Sequence, residues 1–186
     1  NGDIKSLDDK IYDYVPETKD TIYENSTFKD LINMKAGDTN FASRKAGSAT
    51  FIYAGQVVQK KKTVKEYLAE SRNLKTTKKV FNYNNFLTDL VARAIDLKSP
   101  GGLKKAYQDF ANKAGTSSEM FFIIDDNGWP LLHAWTYATR EDFLKLGIQV
   151  SKDWNSNTCI GDYLKNIESM KDKSDNKNSK YSGYFW

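Results

Sequence analysis

The strongest constraint in this chain is a four-residue turn, Asp125-Asp126-Asn127-Gly128, set between two apolar segments. Asn-Gly supplies the backbone angles of a tight hairpin, so the flanking segments must run antiparallel. Met120-Phe121-Phe122-Ile123-Ile124 precedes the turn and is apolar throughout, a pattern that predicts a strand covered on both faces. Trp129 to Tyr137 forms the return strand, with Pro130 at its beginning or on an open edge because it lacks an N–H.

A second β-like signal lies at Thr50-Phe51-Ile52-Tyr53-Ala54, interrupted by Gly55-Gln56 and resumed by Val57-Val58. Its β-branched and aromatic content predicts a hairpin or a bulged strand. Helical signals surround these segments. Thr27 and Thr63 are caps; the second forms a capping box with Glu66 and opens a helix to about Leu74. Phe86, Leu87, Leu90, Val91, Ala94 and Ile95 recur at helical spacing behind a cap at Asn84 or Asn85. Ser99-Pro100 predicts the start of a further helix that Gly115 ends. Thr139 caps another, which Gly147 stops, and a last helix covers about 158–171.

The expected fold is therefore α+β: a small antiparallel sheet from about residues 50–58 and 119–137, flanked by four or five helices. Residues 1–186 read as a single domain, with an irregular N-terminal arm (1–25) and a polar, then aromatic, C-terminal tail (172–186). Composition agrees, since 39% hydrophobic and 13% aromatic residues suffice for a packed core. The absence of an initiating Met suggests a removed signal peptide, anchor or neighbouring domain, and so leans toward an exported or membrane-tethered protein.

Charge excludes little and favours little. The 28 basic residues exceed the 24 acidic ones, but only Arg44, Arg72, Arg93 and Arg140 are arginines. Sites that read phosphates or base edges favour the planar fork of Arg over the hydrated point charge of Lys. The lysine runs are read as solvated surface, and no specific nucleic-acid partner is expected. No apolar run reaches the length of a membrane span.

Chemistry-bearing residues are sparse. His133 is the only histidine and Cys159 the only cysteine, so neither a metal cluster nor a disulfide is expected, and no cofactor fingerprint is present. Asp125, Asp126, Glu141 and Asp142 would support catalysis only if two of them met in a cleft. Strand alternation places Trp129, His133, Trp135 and Tyr137 on one face, where they could stack a planar ligand or simply form core. The aromatic tail, with Tyr181, Tyr184, Phe185 and Trp186, is expected to contact a protein partner or to dock in this chain. These features favour a non-enzymatic interaction or structural domain within a larger assembly. The alternative is a small-molecule sensor built on the Trp129–Tyr137 face, and no catalytic residue is assigned.

Overall fold

The computed structural model describes residues 4–36, 48–74, 79, 81–133, 137–167 and 181–184, with side chains from 51 onward in the second of these segments. Among them the fold is α+β, with seven α-helices and one two-stranded antiparallel sheet. The chain opens on two 3-10 turns, Ile11–Asp13 and Pro16–Thr18, followed by α1 (Phe28–Ile32), α2 (Ser48–Tyr53) and a π-helical turn (Ala54–Val58). Helices α3 (Val64–Ala69), α4 (Asn85–Lys98) and α5 (Gly102–Ala114) come next. Strands β1 (Ile123–Ile124) and β2 (Pro130–Leu131) then precede α6 (Arg140–Trp154) and α7 (Cys159–Asn166).

Helix starts follow the local chemistry. Thr27 with Asp30, and Thr63 with Glu66, form reciprocal capping boxes that satisfy backbone donors left over in the first turn. Asn84, Thr139 and Thr158 cap α4, α6 and α7 with single side-chain acceptors. Stops follow it less faithfully. Helix α3 ends at Ala69, short of Leu74. Helix α6 runs through Gly147 to Trp154, because that glycine keeps helical backbone angles and nothing crowds it. Ser99 closes α4 rather than opening α5; Gly101, at φ +81°, makes the turn and caps α5. Gly115, at φ +73°, ends α5 in the left-handed conformation that glycine adopts without strain.

The core forms around α4. Phe86 packs against Tyr23, Tyr53 and Tyr67, with ring centroids 5.0, 5.3 and 5.2 Å away. Ile11, Val15, Ile22 and Tyr23 are buried in the same cluster, so the irregular first segment is part of the core. Leu87, Leu90 and Ala94 carry the cluster along the helix. Helix α4 also contacts α1, α2, α5 and β2, which makes it the central element.

Residues 50–58 do not join the sheet. They continue α2 into the π-helical turn, with Tyr53 and Val57 buried and Phe51 79% exposed. The β-branched residues favour a strand locally, but helical spacing seats Tyr53 and Val57 together in the core, and burial overrides the weaker local preference. The hairpin forms as expected, with Ile123 opposite Leu131, Ile124 opposite Pro130, and an isolated bridge between Phe121 and Tyr137. Asp125 holds the turn: its Oδ1 accepts from the backbone N–H groups of Asn127 and Trp129, both at 2.9 Å. Its Oδ2 accepts from Val64 at the start of α3, at 2.8 Å. One carboxylate thereby fixes both the turn and its place on the body. The first strand is not covered on both faces, however; Phe121, Ile123 and Ile124 are exposed.

Candidate functional site

Three elements converge on one buried carboxylate. Helix α4 projects Asp89 from its apolar side, α2 projects Tyr53, and the turn after β2 supplies His133. The Tyr53 hydroxyl donates to Asp89 Oδ2 at 2.6 Å. His133 Nδ1 lies 2.7 Å from the same oxygen, and the His133 backbone N–H donates to Oδ1 at 3.1 Å. Both side chains of the pair are sealed from solvent, with 1% exposure for His133 and none for Asp89. Burial raises the Asp89 pKa, while the contacts from His133 and Tyr53 oppose that rise. Burial, and then the neighbouring Asp89 charge, push the Tyr53 hydroxyl well above its ordinary value, so Tyr53 stays a neutral donor.

The polarity of the site follows from these contacts. The Tyr53 hydroxyl and the His133 backbone N–H both donate to the carboxylate, and with Asp89 ionised the His133 ring completes the set by carrying its proton on Nδ1. Nε2 is then the acceptor nitrogen, and it has no hydrogen-bond partner among the described residues. Buried polar atoms are nearly always paired, so an unpaired one is unusual.

The ligand face expected along the return strand is dispersed. Strand geometry covers only Pro130 and Leu131, and a turn at 132–133 breaks the alternation. Trp129 is buried, with the Arg93 guanidinium 5.1 Å from its ring centroid. Arg93 also pairs with Glu17 and Asp96, tying the first segment and α4 to the hairpin. His133 turns inward to Asp89, whereas Tyr137 is exposed and stacks on Phe121 at 4.8 Å. Trp135 lies outside the described residues.

Of the tail residues, Tyr181 and Tyr184 dock on this chain. Tyr181 is buried against Phe81 and Tyr83. Gly183 N–H donates to Asn33 Oδ1 at 3.1 Å, and Tyr184 N–H to the Ile32 carbonyl at 3.2 Å. Tyr163 on α7 donates to the Gly183 carbonyl at 3.0 Å. Phe185 and Trp186 lie outside the described residues.

The acidic candidates do not converge. Asp125 is occupied by the turn. Asp142 accepts from the backbone N–H and hydroxyl groups of Ser117 and Ser118 and lies beside Lys145, so it works as a structural hub at the start of α6. Those donors hold its pKa well below the usual carboxylate range. Cys159 is exposed on α7, while the His133 ring is sealed inside with Asp89. No cluster of three metal-binding side chains occurs among the described residues, and none of their helices is long and apolar enough to cross a membrane.

A beside-the-core groove of about 400 Å³ lies between the π-helical turn and the hairpin. Val57, Leu131, Ile124 and Tyr137 line it together with Lys60 and Asp126. Val57 follows Tyr53 by one helical turn and Leu131 precedes His133 by two positions, so the groove adjoins the buried cluster in sequence.

No family model matches the chain, and no curated protein matches it. A solved structure does: "Putative 6-aminohexanoate-dimer hydrolase from Bacillus anthracis", with a TM-score of 0.68 at 17% identity. The match covers 90% of this chain and 47% of that one. The two share a fold. This chain spans about half the length of the Bacillus anthracis protein. The expectation of a non-enzymatic interaction domain, or a small-molecule sensor, is therefore corrected: a structure that shares this fold is described as a "putative 6-aminohexanoate-dimer hydrolase", which does not support a non-enzymatic role.

Asp89 and Tyr53 were the residues that sequence reasoning missed. Asp89 sits beside Leu90 and three positions after Phe86, within the arc of α4 that is otherwise apolar. A carboxylate in such an arc signals a buried partner. Tyr53 carried no comparable signal once its segment was read as a strand.

Proposed function

We propose that this chain is part of a hydrolase of small acyl compounds, esters or amides, in which His133 is the proton-transfer residue. The single observation that carries the reading is the Asp89–His133 pair, whose Nδ1 is held and whose Nε2 has no hydrogen-bond partner among the described residues. The described function of the Bacillus anthracis protein supports hydrolysis as the reaction class.

In this scheme Nε2 takes a proton from an attacking water or hydroxyl group as it adds to the acyl carbon. Asp89 stabilises the resulting imidazolium charge and keeps the ring oriented. The proton then passes from Nε2 to the leaving oxygen or nitrogen as the acyl bond breaks. Tyr53 steadies the carboxylate through its hydroxyl. The His133 side chain is enclosed, so substrate reaches Nε2 only when the packing around the ring opens.

Chromogenic esters and anilides give the test. In His133→Asn the amide replaces the Nδ1–H donor and deletes the acceptor at Nε2. Turnover should fall by about 10²–10⁴-fold, with melting temperature and KM little changed. Asp89→Asn should lower turnover too and shift the pH profile. Undiminished turnover in His133→Asn, measured on the protein from its natural source, removes His133 from the mechanism. A wild-type protein inert toward every ester and amide in the panel removes the hydrolase reading itself.

A further inference from the structure

Three irregular features meet at the groove of about 400 Å³ between the π-helical turn and the hairpin. The first is the turn itself. Single π-helical turns are rare and recur at functional sites; this one sets Val57 and Val58 on the groove lining. The second is Lys60, at φ +56°. A residue with a Cβ holds that left-handed conformation under strain that glycine avoids, and such strain collects at ligand clamps. Backbone bonds fix the segment: Lys60 N–H donates to the Val57 carbonyl, and Lys61 and Lys62 N–H groups to the Gln56 carbonyl, each at 2.9 Å. The third is the open first strand. Ile123, Ile124 and Tyr137 are exposed, yet all three line this same groove together with Leu131.

The charged groups on the lining indicate which ligand would fit. Lys62 is paired with Glu70, but Lys60 and Lys61 have no carboxylate partner among the described residues. Of the lining carboxylates, Asp125 accepts from three backbone N–H groups and Glu66 from the N–H and hydroxyl of Thr63. Only Asp126 accepts nothing among the described residues. An arriving carboxylate therefore finds two uncommitted ammonium groups, whereas an arriving cation finds one uncommitted acid. We propose that this groove binds a small carboxylate with an apolar body, such as a medium-chain acyl carboxylate. The body lies against Val57, Ile124, Leu131 and Tyr137, and the carboxylate meets Lys60 and Lys61. The volume falls within the roughly 300–1,000 Å³ of small-molecule sites, which pair an apolar lining with a few polar anchors. The proposal is independent of the role given to His133.

Calorimetric titration of the folded protein with octanoate, and separately with octylammonium, gives the test. Octanoate should bind saturably at one site and more tightly than octylammonium. Lys60→Glu with Lys61→Glu should weaken octanoate at least ~10-fold. Lys60→Gly should weaken it while keeping the melting temperature, because glycine takes the left-handed conformation freely. Ile124→Ser, at a position already 59% exposed, should weaken it through the apolar body alone. Amide resonances of 57–62 and 123–126 should move as octanoate is added. The proposal is overturned if octanoate does not saturate, or if octylammonium binds as tightly. It is overturned equally if Lys60→Gly leaves the affinity unchanged, or if the resonances that move lie away from these segments.

Discussion

The two ends of the molecule are held together by different forces. Around Phe86 of α4, Tyr23 from the segment before α1, Tyr53 of α2 and Tyr67 of α3 interlock through aromatic rings that exclude water. From the hairpin through α7, carboxylates hold most of the geometry: Asp125 in the turn, Asp142 at the start of α6, and Asp153 near its end, where Lys113 and Gln149 meet it. The first arrangement gains from removing apolar area from water. The second satisfies backbone and side-chain donors and leaves large apolar side chains outside. Rigid placement and apolar burial are thus separable tasks, and this fold mixes them in different proportions: the second region exposes Phe143 and Leu144 but still buries Trp129, Leu131 and Leu164.

Substitutions at the aromatic centre should break the comparison most clearly. Phe86→Ala removes a fully buried ring that touches three others, and should destabilise the chain by about 3–5 kcal/mol in urea titration. A loss no larger than that of a surface substitution would mean that α4 is not the keystone. Asp125→Ala should cost less, on the order of 1–3 kcal/mol, by orphaning the donors of Asn127, Trp129 and Val64. Amide exchange should rise in the hairpin and at Val64 together; a rise in only one of them would show that the carboxylate does not couple the two.

Asp142 sharpens the contrast through pH. Its folded-state pKa is depressed, so its contribution is present above the ordinary carboxylate pKa and is lost as pH falls through the folded value. Melting temperature should decline on acidification, and Asp142→Asn should flatten that decline while lowering stability at neutral pH. An unchanged acid limb would assign the effect to other carboxylates. The smallest effect is expected at Phe143, where Phe143→Ser in the isolated chain should change stability by less than ~0.5 kcal/mol. A larger loss would place its ring in a contact that its exposure does not suggest.

Much of the scaffold was legible because it is local. The Thr27, Thr63 and Thr139 caps, the α4 stripe and the Asp-Asn-Gly turn are each settled by residues within a few positions of one another. The misread segment at 50–58 shows where locality stops. Its β-branched composition favours a strand, and only the distant seat among Tyr67, Phe86 and Asp89 makes the helix win. The candidate site was half visible. His133 stood out as the only histidine, but Asp89 lies 44 positions away and meets it only through the packing of α4 on the hairpin. Exposure of the first strand was invisible for a similar reason, because an apolar run does not say whether its cover comes from this segment or another.

The tyrosines gathered in the core also make the molecule its own optical indicator of alkaline collapse. Burial raises the ionisation of Tyr23, Tyr53, Tyr67, Tyr181 and Tyr184 above that of a free phenol. As pH climbs past the ordinary phenol value, the folded chain holds these protons and the unfolded chain releases them, so rising pH draws the equilibrium toward unfolding. Phenolate absorbance should therefore arrive as a steep step that coincides with loss of helical circular dichroism, because these rings cannot ionise one at a time while the core stays shut.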